Sequence, residues 1–137
     1  MGNDLDMKEE GKSRKELQVL YQISRTLDAS LDLKDILNPV LEILSRYMNM
    51  NYGTITILHK KTKEIFIESS YGLTPSQANK VKYRLGEGAT GHVILSGEPL
   101  VIPLKSESPL ILDKTKRGKA PDTSFICVPI KVGQEVV

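Results

Sequence analysis

The pattern of apolar residues along this chain predicts an α+β fold. The expected plan is an antiparallel β-sheet with paired long helices on one face, and short helices plus a long loop on the other. Three observations carry the prediction. Apolar residues recur at helical spacing as far as Met48, the period falls to two after Met50, and the later strand-like runs are separated by short helical or glycine-rich pieces.

Residues 1–12, MGNDLDMKEEGK, are charged and without period, which predicts a flexible tail ahead of a domain at 13–137. A helix is expected from Ser13 to Leu27, where Leu17, Leu20, Tyr21, Ile23 and Leu27 repeat with no intervening Gly or Pro. A second is expected from Asp32, a suitable N-cap, with Ile36, Leu37, Val40, Leu41, Leu44, Tyr47 and Met48 on one broad face. Pro39 falls inside that run, lacks an amide donor, and is expected to kink the helix or delay its start.

YGTITILH (52–59) alternates Thr54 and Thr56 with Ile55 and Ile57, and EIFIESS (64–70) follows a lysine-rich turn, so the two read as a hairpin. Thr74, Pro75 and Gln77 have capping-box spacing and begin a short helix. YRL (83–85) and PLVIPL (99–104) read as brief strands. SFICVPIKV (124–132) is apolar on both faces, the pattern of a strand covered on both sides, with Pro129 at a bulge or edge. Between the last two strands lies a polar, basic stretch, 105–123, of a length uncommon unless it is functional or disordered.

Composition narrows the function. A net charge of +2 is too small to argue for a nucleic-acid surface, and with five Tyr, two Phe and no Trp a base-stacking platform is not expected. One cysteine excludes an internal disulfide, and two histidines make no metal cluster. No apolar run approaches the ~20 residues of a membrane span, and the N-terminus is not a signal peptide, so the cytoplasm is the expected location.

The cluster Gly86, Gly88, Gly91 has the G-x-G-x-x-G spacing of a dinucleotide fingerprint, but the strand before it is short and the context antiparallel. The chain has no P-loop. The plainer expectation is that Gly86 and Gly88 permit a tight turn at positive φ and Gly91 permits close helix packing. The amides of Gly88 to Gly91 remain as donors for a small anion.

GEGATGHVILSGEPLVIP, followed after the long loop by SFICVPIKVGQEV, resembles the second half of a GAF domain, and RTLDASLDLKDILNPVLEIL resembles the helices that precede such domains. YGLTPSQANKVKYRLGEGATG with SFICVPIKVGQEV is similar to the amino-terminal sensory GAF domain of the NifA-type sigma-54-dependent transcriptional activators. The likeness covers residues 15–137.

The resemblance implies a small-molecule sensor that dimerises through helices and regulates an attached AAA+ ATPase. No Walker motif or DNA-recognition helix is found in this chain. The implied ligand is a small anionic metabolite, 2-oxoglutarate first among the candidates. Tyr71, Tyr83, Glu87, Gly88, Thr90, Gly91, Val101, Ser106, Ser124 and Phe125 are the candidates to line the pocket; for each the alternative is ordinary packing or exposure. Val19, Leu20, Ile23 and Leu27 are expected at a homodimer interface. The alternative function is a ligand-free dimerisation and interaction module that receives a regulatory protein.

Lys114, Lys116, Arg117 and Lys119 in the long loop would attract an anion, or else form a solvated surface. The Asn-Lys, Phe, Asp-Glu signature of cyclic-nucleotide-binding GAF domains is not found. Cys127 reads as a small buried residue rather than a bilin anchor, and His92 as a rim or surface residue rather than a haem ligand. No catalytic constellation, metal or cofactor is expected. KVGQEVV leads into a further strand, so by the family plan the domain is expected to be cut before its last strand and helix.

Overall fold

The computed structural model describes residues 3–29, 33–112, 114 and 122–137. It divides into two units, Met1–Ile55 with Ser69–Gly72, and Thr56–Glu68 with Leu73–Val137.

In the first unit helix α1 (Asn3–Ala29) packs against α2 (Leu33–Met48). The expected tail is therefore helical from Asn3. Asp4 and Asp6 lie in the first turn, where carboxylates complement the helix dipole, and Asp4 precedes Lys8 by one turn. Residues 4–12 are exposed all round, and no apolar stripe announces this part of the helix. Asp32, the expected N-cap of α2, lies outside the described residues. Pro39 does not delay the start of α2, which runs through it from Leu33. A proline removes its own donor and crowds the carbonyl four residues back, but the apolar face, with Leu41 buried beyond it, keeps the helix in place. Asn49, at φ 56°, ends α2 in the left-handed conformation, and the Met50 amide donates back to the Ser45 carbonyl at 3.2 Å.

Strands β1 (Gly53–Leu58), β2 (Glu64–Tyr71) and β3 (Lys82–Arg84) form a sheet in the order β1-β2-β3. β2 and β3 are antiparallel, with Ile65 opposite Tyr83 and Phe66 opposite Lys82. Helix α3 (Pro75–Lys80) starts with the expected capping box: the Thr74 amide donates to Gln77 Oε1 at 3.0 Å and the Gln77 amide to Thr74 Oγ1 at 3.2 Å. Helix α4 (Gly88–Ser96) follows β3 and buries Ala89, Gly91 and Val93. Ile65, Val81 and Val93 are almost fully enclosed and mark the core of the second unit.

The remaining strands make two small sheets rather than extending the first. β4 (Leu100–Ile102) pairs antiparallel with β5 (Phe125–Cys127), and β6 (Lys131–Val132) with β7 (Glu135–Val136). The expected single strand at 124–132 is thus broken around Pro129, which has no amide to give to a ladder. It is also covered on one side only. Ile126, Val128, Ile130 and Val132 are 67%, 62%, 51% and 69% exposed, while Phe125 and Cys127 are half-buried.

Candidate functional site

Strand β3 and the turn into α4 build the site. Side chains alternate along a strand, so Lys82 and Arg84 share one face and Tyr83 takes the other. The turn then passes through Gly86 (φ 82°) and Gly88 (φ 63°), a conformation that side chains resist. Gly91 has a different role. A Cβ there would stand 2.5 Å from the Arg84 carbonyl oxygen and 2.9 Å from the Gly86 nitrogen, so the missing side chain lets α4 lie against the turn. The glycine cluster shapes the backbone, as the plainer expectation held.

Glu87 sits at the mouth of α4. Its Oε2 accepts from the Arg84 amide at 2.6 Å, and its Oε1 accepts from Lys114 Nζ at 2.6 Å. The same ammonium donates to the Lys82 carbonyl at 2.6 Å and lies 4.8 Å from the centroid of the Tyr83 ring. The Lys114 hydrogen bond first, and the Arg84 amide second, hold the Glu87 carboxyl below the usual carboxylate range. Beside these groups opens a groove of about 750 Å³, lined by Glu64, Lys82, Tyr83, Arg84, Leu85, Gly86, Glu87 and Lys114. A smaller cavity of about 250 Å³ shares Glu64 and Lys82 with it and adds His59, Thr62 and Phe66.

Of the candidate pocket residues the structure gathers Tyr83 and Glu87, with Lys114 from the basic loop. Gly88, Thr90 and Gly91 lie on the first turn of α4 and do not line the groove. The others are elsewhere. Tyr71 ends β2, exposed, in the first unit. Val101 is exposed on β4 opposite Ile126, and Phe125 pairs with Ile102. Ser106 gives its amide and hydroxyl to the Asp122 carboxylate, which holds that carboxyl below its usual range, and Ser124 is exposed nearby in sequence. Lys116, Arg117 and Lys119 lie outside the described residues.

Of the α4 amides expected as donors for a small anion, those of Ala89 and Gly91 have acceptors within the chain. The Ala89 amide donates to the Leu110 carbonyl at 2.7 Å and the Gly91 amide to the Glu87 carbonyl at 3.0 Å. The segment around Leu110 and Leu112 lies over the start of α4, where a Cβ on Gly88 would meet Leu112 Cδ1 at 3.0 Å. At the expected dimer interface Val19 is buried in its own unit, Ile23 is half-buried, and Leu20 and Leu27 are exposed together with Leu17 and Tyr21. Cys127 is half-buried rather than buried, and desolvation raises its thiol pKa; His92 is exposed on α4.

Sequence reasoning missed Lys82, Arg84 and Glu64 as groove residues. The signal was present: K-x-R places two cations on one face of a strand beside the glycine turn. Among the described residues no group of three or more His, Cys, Asp or Glu side chains is placed to hold a metal, and no helix is long and apolar enough to cross a membrane.

The sequence and the fold match known proteins. The family model described as GAF domain matches residues 32–137, and the chain belongs to the GAF domain family. It is 35% identical over 125 residues to the nitrogen fixation protein VnfA of Azotobacter vinelandii, covering 88% of this chain and 24% of that protein. It is 36% identical over 126 residues to the nitrogen fixation protein AnfA of the same organism, covering 90% of this chain and 24% of that one. The chain thus spans about a quarter of the length of these relatives. Among solved structures, that of the A. aeolicus nlh2 GAF domain in an inactive state superposes with a TM-score of 0.79 at 32% identity, covering 90% of this chain and 75% of that one.

Proposed function

We propose that this chain is the small-molecule-sensing GAF domain of a nitrogen-fixation-type transcriptional activator. In this role it controls an attached AAA+ ATPase that works with sigma-54, and its ligand is a small acidic metabolite, with 2-oxoglutarate the leading candidate. It acts in the cytoplasm, as a sensor and not a catalyst, without touching nucleic acid or membrane itself. The relatives named for nitrogen fixation support the setting.

The groove beside β3 is the main support for an acidic ligand. Its volume of about 750 Å³ falls in the range of small-molecule sites. Its two carboxylates are engaged, Glu64 with Lys82 at 3.9 Å and Glu87 with Lys114 at 2.6 Å. Arg84 has no ion-pair partner among the described residues. A guanidinium in that position matches a carboxylate with two parallel hydrogen bonds. Calorimetric titration with 2-oxoglutarate, other dicarboxylates and cyclic nucleotides tests it. The expected result is saturable dicarboxylate binding that weakens about tenfold or more in Arg84→Ala, the loss of a charge-assisted pair. Clear cyclic-nucleotide binding with no dicarboxylate binding at millimolar concentration would overturn it.

One observation favours the second function, a dimerisation and interaction module that receives regulatory proteins. Leu17, Leu20, Tyr21 and Leu27 form an exposed apolar stripe on α1. A homodimer through this stripe is compatible with either function.

A further inference from the structure

The Lys114 ammonium is seated in a socket that the rest of the chain builds without it. Glu87 is held from behind, because its Oε2 accepts the Arg84 amide at 2.6 Å whatever Oε1 does. The Lys82 carbonyl and the Tyr83 ring belong to β3, whose register against β2 is fixed by the pairs Phe66–Lys82 and Ile65–Tyr83. Lys114 instead comes from the long connection between β4 and β5, 27 residues beyond Glu87.

Each wall of the socket answers a property of an alkylammonium. The carboxylate takes its charge, the carbonyl at 2.6 Å takes a second N–H, and the aromatic face at 4.8 Å accepts a cation. Glu87 and Lys114 are about one-third exposed, so the socket opens on solvent and on the groove.

We propose that the Glu87 carboxylate, the Lys82 carbonyl and the Tyr83 ring form a binding subsite for a primary ammonium group, which the chain's own Lys114 fills until an amine-bearing small molecule displaces it. This goes beyond the acid-binding function and does not depend on it. If the ligand also carries an acid, Lys82 and Arg84 line the same groove. The tethered lysine sets the threshold, because a group on a flexible tether competes at an effective concentration in the millimolar range. Only an amine above that level, or one with further contacts in the groove, empties the socket.

The probe is n-butylammonium, the lysine side chain cut from its backbone, with n-butanol and butyrate as controls. Backbone resonances are followed by NMR in the wild type, Lys114→Met, and Lys114→Met with Glu87→Gln. Saturable shifts of the Arg84 and Glu87 amides are expected in the wild type with butylammonium only. Lys114→Met should bind about tenfold more tightly or better, having lost its internal competitor, and adding Glu87→Gln should remove that gain. Three results would each overturn the proposal: equal response to butanol, undiminished binding after Glu87→Gln, or binding confined to Lys114→Met. If the variants do not fold, the wild type decides alone. No saturable shift by about 200 mM butylammonium, far above the tether's effective concentration, overturns the proposal.

Discussion

The Ser69 hydroxyl donates to Asn38 Oδ1 at 2.5 Å, joining strand β2 to helix α2. The two partners differ in exposure: Ser69 is 4% exposed and Asn38 lies at the surface. Removing either one therefore has unequal consequences. Asn38→Ala leaves a buried hydroxyl unsatisfied and should cost about 1–3 kcal/mol, whereas Ser69→Ala leaves an amide that water can reach and should cost about 0.5–1.5 kcal/mol. Urea midpoints of the two variants test the order. An equal or reversed loss would mean that the Ser69 hydroxyl finds another acceptor.

Gly91 and Gly11 should respond in opposite directions to alanine. At Gly91 the new methyl meets backbone atoms at 2.5 and 2.9 Å, which cannot rotate away, so Gly91→Ala should destabilise by about 3 kcal/mol or more. At Gly11, inside α1, a Cβ meets nothing within 4 Å, so Gly11→Ala should raise helix stability by up to about 1 kcal/mol. Thermal melts followed by circular dichroism report both, and a harmless Gly91→Ala would contradict the close approach of α4 to the turn.

The pairing of Glu87 gives stability a sign with pH. Its folded pKa is depressed, first by Lys114 and then by the Arg84 amide, so the stabilisation is fully present above the unfolded glutamate value of about 4.3. It is lost as pH falls from there through the lower folded value. Melting temperatures between pH 5 and pH 3 should therefore fall less steeply in Glu87→Gln than in the wild type. Parallel curves would show that the pair contributes nothing to acid sensitivity.

The α1 stripe predicts self-association. The wild type should sediment as a dimer at high micromolar concentration, and Leu17→Glu with Leu20→Glu should sediment as a monomer, since both side chains are about two-thirds exposed within one chain. Val19, buried in its own unit, should be destabilising to change but silent toward association until the fold is lost. A wild type that stays monomeric under these conditions removes the stripe as an interface.

What the sequence made legible was chemistry contained within a few residues. Thr74, Pro75 and Gln77 specify their helix start locally, and the structure reproduces it bond for bond. Gly86, Gly88 and Gly91 likewise declare backbone needs that the turn displays. The early part of α1 was invisible because a helix exposed all round carries no apolar period. The occupied amide of Ala89 was invisible for another reason: its partner, Leu110, is distant in sequence and offers only a carbonyl, which every residue has. Val19 and Leu20, both expected at the dimer interface, differ in burial by a single step around the helix, which periodicity alone does not orient. In the groove, Glu87 and Tyr83 were nameable from the turn, while their joining to Lys114 depends on where a long connection returns.

Pro129 has a consequence for how the chain avoids assembling into fibres. The segment SFICVPIKV has four β-branched aliphatic residues and one phenylalanine and carries one charge, the composition of a steric-zipper core, and four of its apolar side chains face outward. Every six-residue window within it contains Pro129, the ring that a stacked cross-β ladder cannot accept. The break between β5 and β6 is then a gatekeeper. The hypothesis is that Pro129→Val shortens the lag time of thioflavin-positive fibre growth at constant protein concentration, and unchanged lag times would reject it. On this view the proline gives up a continuous strand so that an outward apolar row has no partner to copy it.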